Sequence, residues 1–194
     1  MANATAISLD RMVRAVEKVR ERLLRAVAAL EAAGVPYAVA GGNAVAAWVS
    51  TVDEAAVRNT RDVDMMLRRE DLGRTREALE KIGFVYRHTA GLDVFLDGPE
   101  SSVRDAVHIV FANEMVRPNE PASNPDVSDS ENTGEFRILS LSALVQIKLT
   151  AYRDKDKTHL RDLIEIGLVD QSWTEKLPPA LAVRLQALLD DPFG

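Results

Sequence analysis

The sequence predicts a mixed β-sheet flanked by helices, in the α+β or α/β class, followed by a C-terminal helical portion. Three observations carry that prediction. Helical and strand patterns alternate through the first half of the chain and then give way to a series of short β-rich runs. Beyond Ser140 the pattern is helical throughout. With 194 residues, 46% of them hydrophobic, the chain is long enough to bury one ordinary core. The division expected is a core with its N-terminal helix over 1–139 and a helical portion over 140–194 packed on it.

The elements follow in order. From Ser8 to Ala33, Met12, Val16, Val19, Leu23, Val27 and Leu30 recur at spacings of three and four, one apolar helical stripe ended by Gly34. Arg11, Arg14, Lys18, Arg22 and Arg25 form a second stripe, read as a solvated flank, with a surface that meets an RNA partner as the alternative. Tyr37 to Ala40 is a short buried strand, Gly41-Gly42 a turn, and Asn43 to Ser50 a helix; after a polar loop, Asp62 to Leu67 is a second strand. Asp71 to Ile82 is helical, capped at Asp71 and closed by Gly83. Phe84 to His88, Leu92 to Leu96 and Ala106 to Ala112 complete a sheet with helices against one face. Glu114 to Glu135 holds three prolines and many acids, and reads as a long, mobile surface loop. Phe136 to Leu139 returns to the sheet, and helices follow over Leu141 to Arg153, Thr158 to Ile166 and from Pro178-Pro179 to Leu189.

Charge and composition exclude several functions. A formal charge of -6 opposes non-specific binding to a DNA or RNA backbone, so a phosphate-bearing ligand must be held by a metal ion or a few placed donors. The absence of cysteine removes disulfides, thiolate zinc sites and cysteine nucleophiles, and suits a cytoplasmic protein. No secretory pattern precedes the first charges. Ala32 to Val52 is uncharged and about as long as a membrane span, but Pro36, Gly41, Gly42 and Asn43 interrupt it and much of it is alanine. No membrane association is expected.

Three segments carry chemistry. Gly41-Gly42-Asn43 lies between a strand and a helix, where glycine lets backbone approach a ligand and free N–H groups favour an anion such as a triphosphate. In Thr60-Arg61-Asp62-Val63-Asp64, side chains two apart on a strand share a face, so Asp62 and Asp64 present adjacent carboxylates that repel unless a hard cation such as Mg²⁺ sits between them. From Lys148 to Asp162, polar groups gather at a helix–helix corner. There Lys148, Arg153 and Lys155 can neutralise phosphate oxygens, and Asp156 or Asp162 can hold them or take a proton.

In order and spacing, Gly41-Gly42, then Thr60-x-Asp62-x-Asp64, then Lys148, Arg153, Lys155, Asp156 and His159 resemble the nucleotidyltransferase superfamily, in the branch of AbiEii-type toxins and related uncharacterised bacterial proteins. The resemblance runs from Val35 to about Leu163. It implies Mg²⁺-dependent transfer of a nucleoside monophosphate from an NTP to an acceptor, with Asp62 and Asp64 on the metal and Gly41, Gly42, Asn43, Thr60, Arg153 and Lys155 on the nucleotide. Lys148 and Asp156 join the catalytic set, and the partners implied are an NTP, an RNA or protein acceptor and, for a toxin, a cognate antitoxin. One departure stands out: His108 in Ala106-Val-His-Ile-Val-Phe111 occupies the place of a third catalytic aspartate, with Asp93, Asp105 or Asp156 available to compensate. Two readings therefore stand, a working transferase with His108 in the catalytic set, and a descendant that binds nucleotide or partner without turnover.

Overall fold

The computed structural model describes residues 8–192. Its elements are α1 (Leu9–Ala32), β1 (Ala38–Ala40), α2 (Gly41–Ser50), β2 (Val63–Leu67), α3 (Leu72–Glu80), β3 (Val85–Thr89), β4 (Leu92–Leu96), β5 (Ala106–Phe111), β6 (Ser130–Asn132), β7 (Arg137–Leu139), α4 (Leu141–Ala151), α5 (Asp154–Glu165) and α6 (Pro179–Asp190). The strands form one mixed sheet in the order β3-β4-β5-β2-β1-β7-β6. β1 runs antiparallel to β2 and parallel to β7, and β2 runs parallel to β5.

Alternation along the strands sorts side chains onto two faces. Val39, Val63, Met65, Leu67, Phe95 and Val107 face α1 and α3, where Leu23, Ala26, Val27, Leu30, Ala78 and Leu79 close the layer. Ala38, Ala40 and Met66 face the other way, into a cluster built by α2, α4, α5 and α6 through Val45, Leu144, Leu149, Leu160, Leu163 and Leu185. Helices therefore cover both faces, where alternation alone had suggested one. Among the described residues no helix is long and apolar enough to cross a membrane.

Local expectations are refined in four places. The apolar stripe of α1 packs only from its middle onward: Leu23 and Leu30 are buried, while Met12 and Val16 stand exposed because the helix runs past the body. Of its basic stripe, Arg11, Arg14 and Lys18 are exposed as expected, but Arg22 is buried against Asp97, Asp105 and the Arg61 carbonyl, and Arg25 binds Asp97 and the Ile82 carbonyl. Asp71 does not cap α3 through its side chain but pairs with Arg74. α5 begins at Asp154, four residues before its apolar period, because the Asp156 carboxylate accepts the Arg153 N–H at its first turn.

The acid-rich segment is the largest correction. Asp126 takes a two-pronged ion pair from Arg68 at 3.0 and 2.6 Å and a hydrogen bond from Asn113, and Arg68 first of all holds its carboxyl well below the usual carboxylate range. Buried Asn124 donates to the Phe111 carbonyl, Val127 enters the core, and residues 130–132 form the edge strand β6. Composition alone suggested solvation; Arg68 and Asn113, just past the ends of β2 and β5, and the Phe111 carbonyl anchor the segment instead.

The two halves of α1 predict opposite responses. Leu30→Ala, at a fully buried position, costs about 2–5 kcal/mol in urea denaturation. Met12→Ala, on the overhang, changes stability by no more than about 0.5 kcal/mol.

Candidate active site

The cleft lies where two sequence segments interlock. β1 and β2 pair so that Ala40 stands opposite Asp64, which delivers the next residue, Gly41, beneath the Asp64 side chain. A Cβ on Gly41 would lie 1.8 Å from Asp64 Oδ2, and a Cβ on Gly42 would lie 2.8 Å from Thr60 Oγ1. Gly41 also sits at φ +63°, a conformation that L side chains rarely adopt. The glycines are thus required twice, by backbone conformation and by the approach of the strand that carries the acids. The helix α2 starts at Gly41 itself, so its first N–H groups open beside Asp64.

β5 continues the site. Asp64 stands opposite His108 in the parallel β2–β5 register. His108 Nε2 donates to the Val103 carbonyl at 2.9 Å, since a carbonyl can only accept, and a neutral ring then carries its lone pair on Nδ1. Asp62, just before β2, lines the same cleft, a cavity of about 600 Å³.

The far wall comes from α4 and α5. Lys148 Nζ reaches Asp156 Oδ1 at 3.1 Å, and Arg153 Nε reaches Asp156 Oδ2 at 2.7 Å. Burial alone would raise the Asp156 pKa, but Arg153 and Lys148 outweigh it and hold the carboxylate ionised. Burial pushes the Lys148 ammonium down against the pull of Asp156 and of Asp64, and Asp64 also acts on Arg153. Tyr152, in the left-handed region at φ 49°, makes the corner that turns Lys148 and Arg153 toward one carboxylate. Lys155 lines the cleft beside them. His159 lines the cleft beside this cluster: burial first, then the Lys148 charge, lowers its pKa to about 4, and its Nδ1 is buried without a partner among the described residues.

Of the residues singled out in the sequence, Gly41, Gly42, Thr60, Asp62, Asp64, Asp93, His108, Lys148, Arg153, Lys155, Asp156 and His159 line this one cleft. Asn43 does not; its amide donates to the Asp62 carbonyl at 2.8 Å and ties α2 to the start of β2, so it supports the acid pair rather than facing a ligand. Asp162 is bound by Arg58, and Asp105 lies with Arg22 in a separate pocket. Periodicity and motif spacing missed Arg69, His88 and Glu114. A signal for one of them existed: Ala90 and Gly91 both take positive φ, the two-residue turn of a tight hairpin, and that turn sets His88 opposite Asp93.

The residues present fit a magnesium ion of the kind completed by its substrate. Mg²⁺ commonly takes one or two carboxylates and fills its remaining positions with phosphate oxygens and water. Asp62 and Asp64 supply two hard oxygen donors, the second in a cradle that a Cβ would fill. Among the described residues no group of three or more His, Asp or Glu side chains forms a complete ligand set.

No family model matches the chain, and neither does any curated protein sequence. Solved structures do. An antigenic nucleotidyltransferase-like protein from Paracoccidioides brasiliensis is similar over 91% of this chain and 89% of its own, at 17% identity and a TM-score of 0.58. A crystal structure of ANT(2'')-Ia in complex with adenylyl-2''-tobramycin matches over 90% and 97%, at 14% identity and 0.53. The solution structure of the same antibiotic-resistance factor matches over 93% and 92%, at 15% identity and 0.52. The chain has the fold of these nucleotidyltransferases.

Two measurements check the site's construction. Gly41→Ala loses about 1–2 kcal/mol of stability from backbone strain alone, and more from displacing Asp64. Lowering the pH from 6.5 toward 4 destabilises the protein, because the unfolded chain protonates His159 while the folded chain does not. His159→Gln flattens that slope in urea denaturation across the same window.

Proposed function

We propose that this protein is a Mg²⁺-dependent nucleotidyltransferase that moves a nucleoside monophosphate from an NTP to a hydroxyl acceptor. One observation carries the reading: Asp64 stands against the glycine start of a helix, and Asp62 and the cations Lys148, Arg153 and Lys155 line the same cleft. Asp62 and Asp64 would hold a hard divalent ion, which would neutralise phosphate charge; the helix start donates N–H groups to outer phosphate oxygens, and Lys148, Lys155 and Arg153 complete the cation set. A crystal structure of this fold in complex with adenylyl-2''-tobramycin supports nucleotidyl transfer on such a scaffold.

In the proposed reaction the acceptor oxygen bonds to the α-phosphorus as the bond from that phosphorus to the bridging oxygen breaks, and pyrophosphate leaves. Asp62 and Asp64 would hold the Mg²⁺, whose charge stabilises the transferring phosphoryl group when bound. Gly41 and Gly42 present backbone to the outer phosphates, and Thr60 buttresses Gly42. Asp156 orients Lys148 and Arg153, both of its oxygens being committed to them. The acceptor proton passes to Nδ1 of His108, the ring nitrogen that the Val103 hydrogen bond leaves free.

The alternative is a descendant that binds nucleotide without turnover, favoured by the imidazole of His108 beside Asp64 in place of a carboxylate. Placement in the AbiEii-toxin-like branch, with a cognate antitoxin and a cytoplasmic site of action, rests on motif order and is tested by co-purification with the product of an adjacent small gene.

Calorimetry with MgATP and MgGTP separates these readings. The native protein gives saturable heats, and Asp62→Asn with Asp64→Asn abolishes them; equal heats in both proteins end the metal-site reading. With labelled NTPs and a cell extract, the acid-pair variant loses label transfer by at least about a hundredfold. Binding without transfer, with activity gained in His108→Asp, establishes the non-turnover alternative.

A further inference from the structure

Among the described residues of α1, Arg22 is the one buried cation, at 4% exposure. Its guanidinium meets three neighbours: Nε donates to Asp97 Oδ2 at 3.3 Å, Nη2 pairs with Asp105 Oδ1 at 3.6 Å, and Nη1 donates to the Arg61 carbonyl at 3.4 Å. Those three lie side by side at one edge of the sheet. Asp97 follows the last residue of β4, Asp105 precedes the first of β5, and Arg61 stands just before β2, with Leu96 paired to Ala106 and Val63 to Val107. Arg22 therefore clamps the ends of three adjacent strands, from the side of the sheet that α1 covers.

What the clamp holds is the approach to β2. Asp64 is fixed within the ladder, opposite Ala40 on one side and His108 on the other. Asp62 lies outside it, at the end of a segment, 57–62, without regular structure. Its place is set by the carbonyls on either side of its Cα: Arg22 meets that of Arg61, and Asn43 donates at 2.8 Å to that of Asp62 itself. Two carboxylates on one face repel, and an acid on a loose segment would swing away from its neighbour, so that an arriving cation would bear the entropy of ordering it. The clamp reaches β5 as well. Asp105 ends the single turn Val103–Asp105, and the Val103 carbonyl of that turn accepts His108 Nε2. A guanidinium suits this place because its rigid planar fork presents donors to several partners at once, whereas an ammonium is a point charge.

We infer that Arg22 is a positioning residue for the cleft: through the Arg61 carbonyl it holds Asp62 beside Asp64 and so raises the affinity of the acid pair for a divalent cation, without touching substrate. The inference rests on the reading of that pair as a metal site.

The test follows Mn²⁺ as the probe ion by electron paramagnetic resonance, on the full chain with α,β-methylene-ATP, in the native protein, Arg22→Lys, Asp62→Asn and the double variant. Arg22→Lys is expected to weaken Mn²⁺ binding about tenfold, the worth of a hydrogen bond from a charged group. In the Asp62→Asn background the same change is expected to have no further effect, because the carboxylate it places is gone. Arg25→Gln supplies the comparison, since Arg25 shares Asp97 but binds the Ile82 carbonyl instead of Arg61. It is expected to lose stability in urea and to keep native Mn²⁺ affinity. Equal affinity in the native protein and Arg22→Lys, additive losses in the double variant, or the same loss in Arg25→Gln overturns the inference and leaves the metal-site reading standing. If Arg22→Lys does not fold, Asp105→Asn replaces it, at a side chain that is 61% exposed. Loosening Arg22 in that way is expected to weaken Mn²⁺ binding about threefold, as suits a partly exposed ion pair, and no loss overturns the inference. A native protein that binds no Mn²⁺ removes the metal-site reading itself, and the two failures are thereby distinguished.

Discussion

The cleft is organised by a missing side chain. Position 41 must lack a Cβ because the Asp64 carboxylate occupies that space, and position 42 must lack one because Thr60 does. This contact joins two motifs far apart in the chain into one surface, and it brings the start of α2 to the strand that bears the acids. Any side chain at either position would have to push β2 away from β1, and the antiparallel register that aligns Ala40 with Asp64 resists that. The contact also explains why the acids stand where their mutual repulsion is answered from outside, by N–H groups of a helix start and by the cations of α4 and α5.

The cations are placed by a second constraint, the burial of Asp156. At 1% exposure its charge must be met by protein groups, and Lys148 and Arg153 meet it from two helices. Breaking that set strands a buried charge, which is far more destabilising than replacing the whole set with apolar groups. The left-handed Tyr152 lets α4 turn into α5 within a few residues, and its hydroxyl binds the Arg184 carbonyl, so α6 braces the same corner. The result is a cleft whose charges follow its walls: cations at the helical wall, carboxylates at the start of β2, an imidazole on β5, and on β4 a carboxylate bound by Tyr86 and His88.

Much of this was legible in order and spacing. The helix–strand alternation, the glycine turn, the acid pair and the Lys148 to Asp156 run can each be read locally, since each depends on periodicity or on neighbours in sequence. Asn43 was misread for the same reason: beside two glycines it looks like a ligand donor, yet the fold turns its amide onto the Asp62 carbonyl. The segment after Glu114 was misread because composition records polarity but not partners, and Arg68, Asn113 and Phe111 reach it from distant positions. The overhang of α1 was invisible because an apolar stripe has the same period whether or not anything covers it.

The residues by themselves therefore determined the fold class, the motif order and the chemical type of each candidate group, because those properties are local. Tertiary structure alone decided which acids share a cleft, that helices cover both sheet faces, that Asp105 and Asp162 are spent on arginines, and that Asp93 is bound by Tyr86 and His88. Those outcomes depend on strand order and on side chains that meet across tens of residues, and a one-dimensional pattern carries no distance between them.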